Sequence, residues 1–369
     1  MDKRHFLKLA GASFALAPVA AMAAINQTNA TDINSLSGLS NITADAKPIT
    51  TEERKARIEK AQSLMKAQNI AAILVEPGAA MDYFSGIKWW RSERLTALVI
   101  PQKGDMAVVT PFFEKPSVLE SLAIGDDVRV WQEHESPFDV VANILKSRGI
   151  TSGNIGFESS VRYFVVTGVS RALPNINIVP AEPITLGCRM YKTPSELALM
   201  HKANEVTLRA YEFVFDNLKL GMSQQDVKSL MNTAQQRLGG SGTWCLALFN
   251  DASAYPHGTN AAQTIKEGSV ILLDSGCSVH GYQSDISRTL VFGKASQKVQ
   301  DVWHTVREGQ NVAFAAAKIG EPAGTVDDAV RQFYGLEDCL YMTETGPAYF
   351  TEPPESLAKP LGKLLNLKS

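Results

Sequence analysis

The chain has 369 residues, 45% of them hydrophobic, which is enough for two domains with buried cores. A formal net charge of −2 offers no basic face to nucleic acid and no attraction to an acidic membrane surface. Four cysteines, Cys188, Cys245, Cys277 and Cys339, lie scattered without Cys-x-x-Cys spacing, which argues against a disulfide framework or a zinc knuckle and for small buried side chains.

Residues 1–23 read as an export signal. Lys3, Arg4 and Lys8 form a basic start, an Ala-rich apolar stretch follows, and Ala21-Met22-Ala23 fits a small-x-small cleavage pattern. The stretch is too short to favour a spanning helix, so no membrane span is expected once the signal is removed. Lys3-Arg4-His5-Phe6-Leu7-Lys8 suits twin-arginine export, and an ordinary secretory signal suits the same residues. Either route puts the mature protein in the periplasm or outside the cell. Residues 24–49, rich in Asn, Thr, Ser and Ala, read as a flexible linker.

A first folded domain is expected over residues 50–185. Helical periodicity covers 52–67, and short apolar strands are expected at 70–75, 95–100 and 106–109. A helix at 138–147 and a strand at 154–158 follow, which together imply an α/β layer domain. Trp89, Trp90 and Arg91 precede a strand, where at least one tryptophan is expected in the core.

A second domain is expected over residues 186–334. Thr193 as N-cap, Pro194 in the first turn and Glu196 as capping-box partner start a helix running to about residue 218. Ser223 with Asp226 starts another, ending at Gly239-Gly240. Strands at 244–249 and 270–274, a hairpin strand to residue 292 and a helix at 296–318 complete the pattern. The fold class is α/β (α+β).

Two aspartates in the hairpin carry the most chemistry. Asp274 ends Val270-Ile271-Leu272-Leu273, and Asp285 lies in Gly281-Tyr282-Gln283-Ser284-Asp285. A turn centred between Val279 and His280 would set residue 274 directly opposite 285. Like charges at cross-strand positions repel, and a bound cation would remove that repulsion. Carboxylates suit hard ions such as Mn²⁺ or Mg²⁺. The alternative is a solvated hairpin carrying two incidental acids. Ser275 and Ser278 lack a Gly-x-Ser-x-Gly elbow and an oriented base, so a serine nucleophile is disfavoured. His134, His201, His280 and His304 are expected on the surface or in packing.

The order Tyr255-Pro256-His257-Gly258, the Asp274 strand, then Gly281-Tyr282-x-Ser284-Asp285-x-Ser287-Arg288-Thr289 resembles the pita-bread metallopeptidases. The likeness is greatest to their Xaa-Pro aminopeptidase and prolidase branch, over about residues 186 to 335. It implies a creatinase-like N-terminal α/β domain followed by a pita-bread domain. It also implies Asp274 and Asp285 as metal ligands and His257 as an aid to substrate binding and proton transfer. Two divalent ions (Mn, Co or Zn), a peptide or dipeptide substrate with proline second, and a homodimer are further expectations of that branch. Ser287 stands where the family usually has Thr.

The family's remaining ligands, a His in His-Gly-x-Gly and two Glu, have no counterpart after His304. The pita-bread domain is therefore expected to be incomplete, metal binding weak and the chain inactive. A non-catalytic binding protein and a metal-free creatinase-like hydrolase are the competing readings, and retention of both aspartates disfavours the second. Residues 335–369 read as an atypical tail without a packing pattern, expected from a truncation or frameshift. Read one base earlier, codons for the stretch from Gly346 to Pro353 permit Pro-Gly-Leu-Leu-His-Arg-Thr, similar to the segment preceding the family's metal-binding His-Gly.

Overall fold

The computed structural model describes residues 38–331, 340–353, 361, 363 and 365. The export signal of residues 1–23, the first part of the linker and Cys339 lie outside the described residues.

The first domain is a six-stranded sheet with helices on both faces. Its strands are β1 (Ala72–Val75), β2 (Ala97–Pro101), β3 (Ala107–Pro111), β4 (Val128–Trp131), β5 (Gly153–Phe157) and β6 (Ile176–Pro180), in the order β4-β3-β2-β1-β5-β6. β1 pairs antiparallel with β2 and parallel with β5, so the sheet is mixed. The inner strands β1, β2 and β3 bury both faces, while the edge strand β6 is largely exposed. Ile73, Val75, Leu98 and Val108 meet one helix layer, formed by α1 (Thr51–Ala67), α2 (Ala79–Ser85), α3 (Lys115–Ser121) and α6 (Glu182–Arg189). Leu74, Val99 and Val109 meet the other, formed by α4 (Pro137–Ser147) and α5 (Tyr163–Ala172). Alternation of side chains along a strand sends odd and even residues to opposite layers. Trp89 packs against the first layer, while Trp90 stands 66% exposed beside it.

The second domain begins with α7 (Pro194–Asn217), capped as the sequence predicts. The Thr193 hydroxyl accepts from the Glu196 backbone N–H at 3.3 Å, and the Glu196 carboxylate accepts from the Thr193 N–H at 2.7 Å. α8 (Gln224–Arg237) starts with the matching Ser223–Asp226 box. Both helices cover one face of an antiparallel sheet, β10-β8-β7, made of β7 (Ser241–Phe249), β8 (Val270–Val279) and β10 (Ile286–Val291). The short β9 (Tyr282–Gln283) pairs with the end of β8. Ile271, Leu273, Cys277, Val279 and Ile286 point into the helices with Val206, Ala210, Tyr211 and Leu230. The opposite face holds the even-numbered residues of β8. Next come α9 (Gln297–Ala316) and α10 (Gly324–Val330).

Two segments differ from expectation. Residues 38–49 are a strap on the second domain rather than a flexible lead. Ile49 is buried in its core, Ile42 packs there and donates its backbone N–H to Leu238 at 3.0 Å, and Asp45 pairs with Lys202 at 3.2 Å. Past residue 339, β11 (Leu340–Thr343) and β12 (Gly346–Tyr349) form a hairpin. Ala348 and the fully buried Phe350 pack on Leu197 and Met200 of α7, so this part of the tail does carry a packing pattern. No described helix is long and apolar enough to cross a membrane.

Candidate active site

The β8–β10 hairpin turns at His280-Gly281, with φ of 49° and 91°. Positive φ at both central residues is the type I′ geometry whose twist suits two strands joined by two residues. A Cβ at Gly281 would come within 2.7 Å of the Asp82 carboxylate, so the turn also abuts α2 of the first domain. This turn lies one residue beyond the expected centre. Asp274 therefore pairs with Ser287, and Ser278 with Gln283, which puts Asp285 beside Gly276. The expected direct opposition of Asp274 and Asp285 is corrected to a diagonal one. The slip is an even number of residues, so both carboxylates stay on the same face. Diagonal neighbours lie roughly 7–8 Å apart. Gly276 allows this crowding, because a Cβ there would run into the Ser284 carbonyl.

That face is open, away from α7 and α8. Asp274 is half-buried, and its Oδ1 is shielded from water without a hydrogen-bond partner. Asp285 is exposed. Leu246 of β7 pairs with Asp274. A Cβ on Gly258 would meet the Leu246 side chain at 3.0 Å, so the Tyr255–Gly258 turn backs onto this strand. His257 sits in that turn, exposed, with no hydrogen bond to another described side chain. The two aspartates are thus brought together, and His257 is placed at the rim.

The rest of the Gly-Tyr-x-Ser-Asp run is structural support. The Ser284 hydroxyl lies 2.7 Å from that of Thr207 and accepts from the Cys277 N–H at 3.0 Å. Gln235 donates to the Ser275 hydroxyl at 3.0 Å, and Ser275 donates to the Trp244 carbonyl at 2.6 Å. Ser275 is committed to this buried network and has no base beside it. The Tyr282 hydroxyl donates to Glu196 at 2.9 Å and accepts from Arg57 at 2.8 Å. Arg57 also pairs with Glu196 at 3.2 Å and lies 4.0 Å over the Tyr83 ring, joining the two domains. Burial, with Glu196 adding to it, raises the Tyr83 phenol to about 12 and Tyr282 further, so both stay protonated donors. The sequence hides this junction. Glu196 reads as a helix cap, which it also is, and Arg57 reads as one more charge on a helix.

Among the described residues, no group of three or more His, Cys, Asp or Glu side chains converges. The His201 ring meets the Leu365 carbonyl, His280 is exposed in its turn, and His304 stands edge-on to Trp303 at 5.3 Å. Glu344 is exposed. Cys188 is buried, which pushes its thiol up to about 11 and leaves it a poor nucleophile at neutral pH.

Two family models match. Residues 57–191 match the creatinase/prolidase N-terminal domain, and residues 198–349 match metallopeptidase family M24, further than the motifs alone carry the likeness. The chain is 26% identical over 284 residues to an uncharacterized peptidase of Schizosaccharomyces pombe, covering 72% of this chain and 61% of that protein. The solved dipeptidase PepE of Mycobacterium ulcerans superimposes with a TM-score of 0.70 at 26% identity, covering 78% of this chain and 77% of that one. A prolidase from Thermococcus sibiricus shares the fold, with a TM-score of 0.69 at 23% identity and 76% of each chain covered.

Proposed function

We propose that this chain, which joins a creatinase/prolidase N-terminal domain to an M24 metallopeptidase domain, carries the peptide-binding face of a proline-directed metallopeptidase. With Asp274 and Asp285 as its described ligands, it holds one divalent ion and binds short peptides with proline second, without turning them over. The carrying observation is the Asp274 Oδ1, buried without a partner on the face it shares with Asp285. Leaving a buried carboxylate oxygen unpaired costs roughly 1–3 kcal/mol, which a cation would offset. Two carboxylates fit one hard ion, with water in its remaining positions. They do not fit a two-ion centre, because no third donor joins them among the described residues. No hydrolytic step is therefore assigned to a metal pair.

A bound ion supplies Lewis-acid polarisation and a more acidic water. The chain's own residues do the rest. Asp274 and Asp285 would hold that ion on the open face of β8, beside the bound peptide. Leu246, paired with Asp274, supplies an apolar neighbour to that carboxylate. His257 is proposed to hydrogen-bond the peptide from the rim. The proline preference rests on the Pro-His-Gly and Gly-Tyr-x-Ser-Asp blocks and on the likeness to a prolidase and a dipeptidase.

Incubation with Gly-Pro and Ala-Pro in Mn²⁺ or Co²⁺ tests this reading. Binding of ion and peptide is expected, with proline release no faster than in Asp274→Asn. Release that depends on Asp274 would show a completed ligand set. Failure to bind either ion or peptide would refute the face itself.

A further inference from the structure

A cavity of about 900 Å³ lies between the two domains, within the range that small-molecule sites occupy. One wall is Lys88, Trp89 and Trp90 of the first domain, and another is the hairpin tip from His280 to Gln283. The α6–α7 connection, with Arg189 and Lys192, forms a third side.

The cavity is electrostatically lopsided. Four cationic side chains, Arg57, Lys88, Arg189 and Lys192, line it against two carboxylates, Asp82 and Glu196. Both acids already have arginine partners. Glu196 pairs with Arg57 at 3.2 Å and Asp82 with Arg54 at 3.4 Å, although Asp82 also feels Lys88. Lys88, Arg189 and Lys192 form no ion pair among the described residues, and Lys192 donates only to the Met190 carbonyl at 3.3 Å. The remaining lining suits a flat apolar body. Trp89 and Trp90 stack at 4.4 Å with 19° between their rings, and Trp90 keeps 66% of its surface exposed. Met190 and Met200 add polarizable apolar surface, which adapts to ring systems.

We propose that this cavity is a binding site for an organic carboxylate carried on an aromatic body. Lys88, Arg189 and Lys192 take the carboxylate, and the ring lies on the Trp89–Trp90 pair. The ligand fills the space between the domains and ties the hairpin tip to the first domain. The site does not depend on the ion- and peptide-binding reading of the Asp274–Asp285 face. Gln283 is two residues from Asp285, roughly 7 Å along the strand, so the two sites are neighbours without sharing a residue.

The test is calorimetric titration of the whole chain with 3-phenylpropionate, with 3-phenylpropionamide as the uncharged control, each followed by tryptophan fluorescence. The acid is expected to bind at least about tenfold more tightly than the amide, a difference of about 1.4 kcal/mol. Chelator is expected to leave that binding unchanged, and the double variant Arg189→Glu/Lys192→Glu to weaken it about tenfold or more. Equal binding of acid and amide, or no binding of either, overturns the proposal. Loss of acid binding in chelator would assign the ligand to the aspartate face and also overturns it, as does full affinity in a folded double variant. If that variant does not fold, the acid–amide comparison on the unaltered chain still decides. A second pair of probes without proline, Gly-Gly-Phe and its C-terminal amide, identifies the source. Tighter binding of the free peptide than of phenylpropionate assigns the carboxylate to a peptide C-terminus, and the reverse assigns it to a free aromatic acid.

Discussion

At Asp274 the chain tolerates what a folded protein normally avoids, a carboxylate oxygen shielded from water with no donor on it. Asp274→Asn removes the charge while keeping the shape. In chelator, the variant should be as stable as the parent or up to about 1 kcal/mol more stable, since it no longer desolvates an anion. Urea denaturation with and without Mn²⁺ checks this. The parent should gain stability from the ion and the variant should not. A variant clearly weaker than the parent in chelator would mean that the carboxylate holds the fold rather than an ion. The two aspartates were legible in the sequence because side chains alternate along a strand. An error of two residues in register leaves the face unchanged, whereas an error of one would have sent Asp285 into the helices. The register itself was not legible, since His280 gives no sign in sequence that it will take a φ of 49° beside Gly281.

The elements meet at a buried junction, Arg57 of α1, Glu196 of α7 and Tyr282 of β9. Its pieces are not equivalent. Tyr282→Phe removes two hydrogen bonds to charged groups and should cost about 1–3 kcal/mol. Arg57→Met strands Glu196, whose side chain is only 3% exposed, and should cost about 3–5 kcal/mol. Thermal unfolding of both variants checks the order, and a Tyr282→Phe loss larger than that of Arg57→Met would contradict it. Beside the junction, burial raises the Asp82 carboxyl above its ordinary 3.8, and Arg54 only partly offsets this. A carboxyl raised in the folded state binds more protons there than in the unfolded chain. Stability should therefore fall as pH rises from 3.8 through the raised value, and that slope should be absent in Asp82→Asn. Stability measured across this acid range in both proteins settles the sign. None of this was visible from helix periodicity, which places residues on faces but not opposite partners from another domain.

On the scale of the molecule, helix caps and apolar strands made both domains and their order readable, because local signals fix them. The strap and the tail were not readable. Residues 38–49 mix polar and small residues without a helical or strand period and hold on through a few apolar anchors. Ile49 is 8% exposed in the second domain's core, so Ile49→Ala should cost about 2–4 kcal/mol by denaturant melting. A loss below 1 kcal/mol would return the segment to the role of a loose linker. In the tail, Phe350 is fully buried and Thr351 accepts from Arg288 at 3.4 Å, within a stretch whose prolines suggest a surface segment. The second domain's sheet leaves one face open, and its function depends on what the two aspartates there can hold. Calorimetric titration of Mn²⁺ into the chelator-treated chain, Asp274→Asn and Asp285→Asn measures it directly. One ion per parent chain is expected, with Kd on the order of 10⁻⁴ M or weaker, and none in either variant. Two tightly held ions per chain, or binding that survives both substitutions, would contradict it.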